Sequence, residues 1–121
     1  MNGKKKYRNT PTFYNGLRFD SKAEAARAQE LDMQKHVGAI VFWLPQVTFR
    51  LGCAENKYRV DFLVVTKDGV RAEDVKGMET AKFKRDKKLW KAYGPCDLWI
   101  VRRQAKGWKM DIVEPSNPPQ A

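Results

Sequence analysis

The sequence predicts an α/β fold, of α/β or α+β type, with a mixed central sheet flanked by helices. Three observations carry that reading. Two segments, beginning at Ser21 and Glu79, have helical signatures, and they interrupt a series of short runs rich in β-branched and aromatic residues. Turn signals separate the runs: Asn15-Gly16, Lys67-Asp68-Gly69, Gly94-Pro95 and Ala105-Lys106-Gly107. The resulting order is hairpin, α, β, β, β, α, β, β, which suits a layered sandwich.

Phe13 to Phe19 reads as a hairpin, because Asn-Gly between apolar residues favours a two-residue turn. Ser21-Lys22-Ala23-Glu24 has the form of a capping box, so a helix starts there. Alanines at 23, 25, 26 and 28, then Leu31 and Met33, carry the helix to about His36, and Gly38 ends it. Ile40 to Leu44 is apolar and Pro45 is expected to break it. Gln46 to Leu51 alternates as a strand, and Tyr58 to Val65 is the densest β-forming run. Val70 to Lys76 returns as its neighbour. Glu79 to Tyr93 is a second helix, with Phe83, Leu89, Trp90 and Tyr93 expected on its buried side. Asp97 to Arg103 and Trp108 to Val113 complete the strands. The expected organisation is a flexible basic arm over 1–12, one domain over 13–113 and a disordered tail over 114–121.

Composition narrows the function classes. The chain has 121 residues, 42% of them hydrophobic, enough for a core without disulfides or a structural metal. No apolar run is long enough to span a bilayer, and no apolar segment follows the basic N-terminus as a signal peptide requires. With two cysteines (Cys53 and Cys96), one histidine and no CxxC, a zinc site of Cys/His type is excluded. Free thiols are favoured over a Cys53–Cys96 disulfide, consistent with a cytoplasmic protein. The net charge of +10, from 24 Lys and Arg against 14 Asp and Glu, points to a polyanionic partner. Nothing in the chain marks an organic cofactor or a membrane partner.

The chemistry concentrates in the hairpin from Tyr58 to Lys76. Alternation places Asp61, Leu63 and Val65 on one face, and Ala72, Asp74 and Lys76 together on the next strand. Asp61 sits within Val60-Asp61-Phe62-Leu63-Val64-Val65, where a carboxylate must be paired or hold a metal. Two converging carboxylates beside a lysine suit hydrolysis assisted by Mg²⁺ or Mn²⁺. The bland alternative is a structural ion pair of Asp61 with Lys76 and an unremarked edge residue at Asp74.

These residues carry a resemblance. Val60-Asp61-Phe62 followed by Asp74-Val75-Lys76-Gly77, with Glu24 on the preceding helix, resembles the PD-(D/E)xK nuclease superfamily. The wider string, Phe19 to Glu24, Gln46, Asp61-Phe62 and Asp74 to Met78, is similar to a family of small phage and prophage proteins related to endonuclease I-type Holliday-junction resolvases. The resemblance covers about Tyr14 to Arg103. It implies a restriction-endonuclease-like fold and a metal-dependent DNA endonuclease, acting on branched DNA in phage recombination or DNA processing within a bacterial host cell. Asp61, Asp74 and Glu24 would hold Mg²⁺ or Mn²⁺, and Lys76 would assist the attacking water. Val60 stands where the superfamily is named for a proline. The Glu73-Asp74 pair leaves a choice of register. Alternation selects Asp74, and Glu73 would be a ligand only if a bulge turned it inward.

Other positions have two readings each. Glu24 can serve as a capping residue alone. Lys84, Arg85, Lys88 and Lys91 form either a solvated helix face or a DNA-backbone contact. Lys87 and Gln46 are accessory candidates near the site, and the four tryptophans are expected in the core. Two further hypotheses stand beside the DNA nuclease: a non-catalytic nucleic-acid-binding module on the same fold, and a nuclease acting on RNA. Cutting both strands favours a homodimer, with the hairpin at Phe13 to Phe19 and the N-terminal arm as exchanging segments.

Overall fold

A computed structural model describes residues 10–116. The expected arm falls mostly outside them, as does the end of the expected tail. Nine elements follow in order: β1 (Thr12–Tyr14), β2 (Leu17–Phe19), α1 (Lys22–His36), β3 (Phe42–Arg50), β4 (Lys57–Thr66), β5 (Gly69–Val75), α2 (Ala81–Tyr93), β6 (Asp97–Arg103) and β7 (Trp108–Val113). Strands β1 and β2 pair as a separate hairpin, and the other five form one sheet in the order β3-β4-β5-β6-β7. All neighbours in that sheet are antiparallel except β5 and β6. A parallel pair needs a crossover, and α2 supplies it. The fold class is the expected one: a mixed sheet flanked by helices, consistent with a restriction-endonuclease-like core.

Local signals explain where the elements start. Asn15 and Gly16 both have positive φ, as a tight hairpin turn requires. The Ser21 hydroxyl accepts from the Glu24 amide at 3.1 Å, and the Thr80 hydroxyl caps α2 in the same way through Phe83 at 3.1 Å. Each cap is worth ~1 kcal/mol. The first turn of α2 is therefore set by Thr80, and the helix starts two residues later than the expected Glu79.

Helix α1 covers one face of the sheet, packing Ala25, Ala28 and Leu31 against Phe19, Ile40, Phe62 and Val64. Helix α2 covers the other, where Phe83 and Trp90 pack on Leu51, Tyr58, Val60, Ala72, Leu98 and Ile100. Trp90 is fully buried, whereas Trp43, Trp99 and Trp108 are half-buried. Asp32 ties the layers together by accepting from the Tyr14 hydroxyl and from Trp43 Nε1.

Three expectations are corrected. Pro45 does not end a segment, because β3 runs through it from Phe42 to Arg50. It is tolerated because β3 is an edge strand, where a missing N–H need not cost a ladder bond. Tyr93 is exposed rather than buried. Its ring lies over Gly52, where an added Cβ would come within 2.9 Å of it. Simple alternation also fails along β4. Tyr58 and Val60 pack under α2, yet Phe62 and Val64, of the same parity, pack under α1. On β3, Val47 and Phe49 lie on the α2 side and Trp43 on the α1 side. Both strands thus change face at the same level, at Gln46 and Asp61. Gln46 has φ +53°, and pairing passes from Pro45–Phe62 to Val47–Val60 without a Gln46–Asp61 pair between them.

Among the described residues no helix is long and apolar enough to cross a membrane.

Candidate metal and phosphodiester site

The face change puts Asp61 at a defect in the sheet. Pairing between β4 and β5 stops at Phe62–Glu73, one step short of an Asp61–Asp74 pair. Beyond that step the two aspartates replace the ladder. The Asp61 amide donates to Asp74 Oδ1 at 2.8 Å, and the Val75 amide donates to Asp61 Oδ2 at 2.8 Å. Each carboxylate therefore satisfies a main-chain donor that the splayed strands would leave orphaned. The same bonds fix both carboxylates side by side.

Three side chains complete the surroundings. The Tyr58 hydroxyl donates to Asp74 Oδ2. Lys76 Nζ lies 3.7 Å from the same Asp74 oxygen and 4.4 Å from the Phe83 ring centroid. Glu24, on the first turn of α1, is 9% exposed, and no cation pairs with it among the described residues. All four expected site residues, Glu24, Asp61, Asp74 and Lys76, line one cleft of about 870 Å³.

Burial raises the carboxylates of the cleft, and their mutual proximity adds to it. Burial pushes the Glu24 carboxyl up to about 7, and the neighbouring charges of Asp61 and Asp20 add to the shift. Burial likewise raises Asp74 to about 6, against the opposing pull of Lys76 and the Asp61 amide. Asp61 is raised for the same first reason, partly offset by the Val75 amide, Lys76 and Arg59. Crowded carboxylates of this kind gain from a cation, which favours their charged forms.

The donor set fits a hard divalent ion. Asp61 Oδ2 is taken by Val75, while its other carboxylate oxygen accepts from no described residue. Among the described residues no three His, Cys, Asp or Glu side chains converge as metal ligands, so Glu24 stands apart from the aspartate pair. Magnesium is commonly held by one or two carboxylates, with waters and phosphate oxygens completing its shell. Asp61 and Asp74 meet that requirement, and Glu24 faces the same cleft.

The remaining candidates are placed as follows. Glu73 is fully buried on the opposite, α1 side of the sheet. Arg27 grips it at 2.8 and 3.0 Å, and Arg71 adds a bond at 2.8 Å. No bulge turns it into the cleft. Lys87 bonds Glu79 at 2.9 Å and does not line the cleft. Gln46 is exposed at the level of Asp61 and is also outside the cleft lining. Lys84, Arg85, Lys88 and Lys91 form an exposed face of α2 away from that lining. Cys53 and Cys96 are free thiols. Sequence reasoning missed Tyr58, Arg27 and Arg59. Only Tyr58 carried a usable signal, as an aromatic hydroxyl on the Asp61 strand.

A family described as "Protein of unknown function (DUF1064)" matches residues 4–107. Comparison with curated proteins and with solved structures gave no match.

Proposed function

We propose that this chain, which belongs to the DUF1064 family, is a Mg²⁺- or Mn²⁺-dependent endonuclease that hydrolyses phosphodiester bonds in DNA. The observation that carries the reading is the reciprocal Asp61–Asp74 interlock at the splayed end of β4 and β5, with Lys76 beside Asp74. A structural ion pair would need neither the break in the sheet nor the buried Glu24 facing it.

The residues would divide the work. Asp61 and Asp74 would hold the ion. When bound, it would activate water and offset charge building on the phosphate. Tyr58 fixes the Asp74 carboxylate, which keeps the two carboxylates aligned. Lys76, packed on Phe83, would place its ammonium toward the attacking water and the non-bridging phosphate oxygens. Glu24 would take a proton-handling or water-ordering role across the cleft. The free thiols suit a reducing compartment such as the cytoplasm.

The test is cleavage of linear, nicked, forked and four-way DNA, and of an RNA duplex, with Mg²⁺ or Mn²⁺ and with EDTA. Metal-dependent nicking or cutting of any of these, lost in Asp61→Asn, is the expected result. Salt-sensitive binding with no cleavage in either metal would instead establish a binding module. Cleavage confined to an RNA duplex would reassign the substrate, and a preference for four-way DNA would support junction resolution.

A further inference from the structure

We propose that Arg59 and Lys22 form a phosphate-binding rim on the cleft, and that Asp20 holds Arg59 until a nucleic-acid backbone phosphate displaces it. The inference rests on the reading above only in taking a phosphodiester chain as the ligand. Arg59 and Lys22 line the cleft together with the carboxylates, whereas the basic side chains of α2 do not. A backbone whose reacting phosphate sits at Asp61 would have these two cations on the wall of the same cleft.

Position supports the assignment. Arg59 lies two residues before Asp61 on β4, about 6–7 Å along a strand. That offset suits a phosphate flanking the reacting one. Lys22 opens α1, two residues before Glu24, and has no carboxylate partner among the described residues. A guanidinium fork suits bidentate phosphate contact, and a lysine serves as a point charge.

Asp20 behaves as a placeholder. It bonds Arg18 at 2.8 Å and reaches Arg59 only at 3.7 Å, with the two side chains of that longer pair 41% and 56% exposed. A long pair this open to solvent contributes little and exchanges readily. Arg18 keeps Asp20 compensated after Arg59 leaves.

The experiment is fluorescence anisotropy of a short labelled DNA duplex in EDTA, so that binding is read without cleavage. Arg59→Gln and Lys22→Gln should each weaken binding several-fold. Each should make the slope of log K against log salt shallower by about 0.9, the loss of one phosphate contact. Arg59→Lys should recover part of the affinity. Asp20→Asn should bind more tightly than wild type, and the gain should vanish when Arg59→Gln is added. Wild-type affinity and slope in both Gln variants overturns the rim. An Asp20→Asn protein that binds no more tightly overturns the displacement. If wild type cleaves nothing in any metal but this binding pattern holds, the endonuclease reading fails and the rim stands.

Discussion

Asp61 and Asp74 each do two jobs, accepting a main-chain N–H and presenting a carboxylate to the cleft. Asp61→Asn and Lys76→Ala should reduce cleavage to background while DNA binding persists, because phosphate contacts elsewhere supply most of the affinity. Asp74→Asn should behave likewise. Tyr58→Phe should leave measurable but reduced turnover and lower stability by roughly 1.5–3 kcal/mol, the range for a hydrogen bond to a charged group. Glu73→Gln serves a different purpose. It leaves Arg27 buried without a full counter-charge, so it should cost about 3 kcal/mol in a denaturant melt. Activity per folded molecule should survive. A stable but inactive Glu73→Gln protein would contradict the assignment of Asp74 as the working carboxylate.

At the scale of elements, the change of face on β3 and β4 does the positioning. Without it, Tyr58 and Asp74 would not share the α2 side, and Asp61 would be a regular ladder residue. Gln46 bears the cost through its positive φ. Gln46→Gly should be neutral or slightly stabilising, since glycine enters that region without a Cβ clash. Gln46→Val should destabilise by roughly 1–2 kcal/mol and lower activity, because a left-handed conformation crowds a β-branched side chain more than the unbranched one of glutamine. Thermal melts of the two variants, read beside cleavage, decide this. A Val variant as stable as the Gly variant would mean that Gln46 bears no strain. The Arg27–Glu73 pair has a related role, since it ties the helix that carries Glu24 to the strand that carries Asp74.

The whole molecule should register the crowded carboxylates as a pH dependence. Glu24 and Asp74 have folded-state values of about 7 and about 6, against ordinary values of 4.5 and 3.8. The folded chain therefore binds more protons than the unfolded chain between those limits, and stability falls as pH rises. Their contribution is fully present below the ordinary values and is lost as the pH passes through about 6 and then about 7. In EDTA the melting temperature should drop over that window, and Glu24→Gln should flatten the drop. Added Mg²⁺ should restore stability at the alkaline end, by binding the folded state alone. A melting temperature that rises across the window in EDTA would refute this account. The net charge of +10 should make DNA affinity fall steeply with salt, and replacing Lys84, Lys88 and Lys91 with Ala should flatten that slope. Two-strand cutting also calls for two sites. Light scattering should then show a dimer, and a monomeric mass with and without junction DNA would leave a nicking enzyme.

Most of the architecture was legible in the sequence, because it follows from local chemistry. Ser21, Asn15-Gly16 and Gly94-Pro95 announce starts and stops within a few residues of themselves. The β-branched runs around Val60 and Val101 can satisfy their backbones only by pairing. Alternation chose Asp74 over Glu73 correctly as the residue beside Asp61, although β4 itself breaks the alternation. What stayed hidden depends on partners distant in the chain. Nothing near Pro45 says that β3 is an edge strand and so tolerates it. Nothing near Tyr93 says that Gly52 leaves room for its ring. The buried Arg27–Glu73 pair spans 46 positions, and Glu24 shares a cleft with the aspartates only because α1 packs against the sheet. Sequence periodicity says which way a side chain points relative to its neighbours only while a strand keeps one face, and Tyr58 and Phe62 show where it does not. Only tertiary packing decides what it then meets, because burial and charge pairing depend on groups brought together across the sheet.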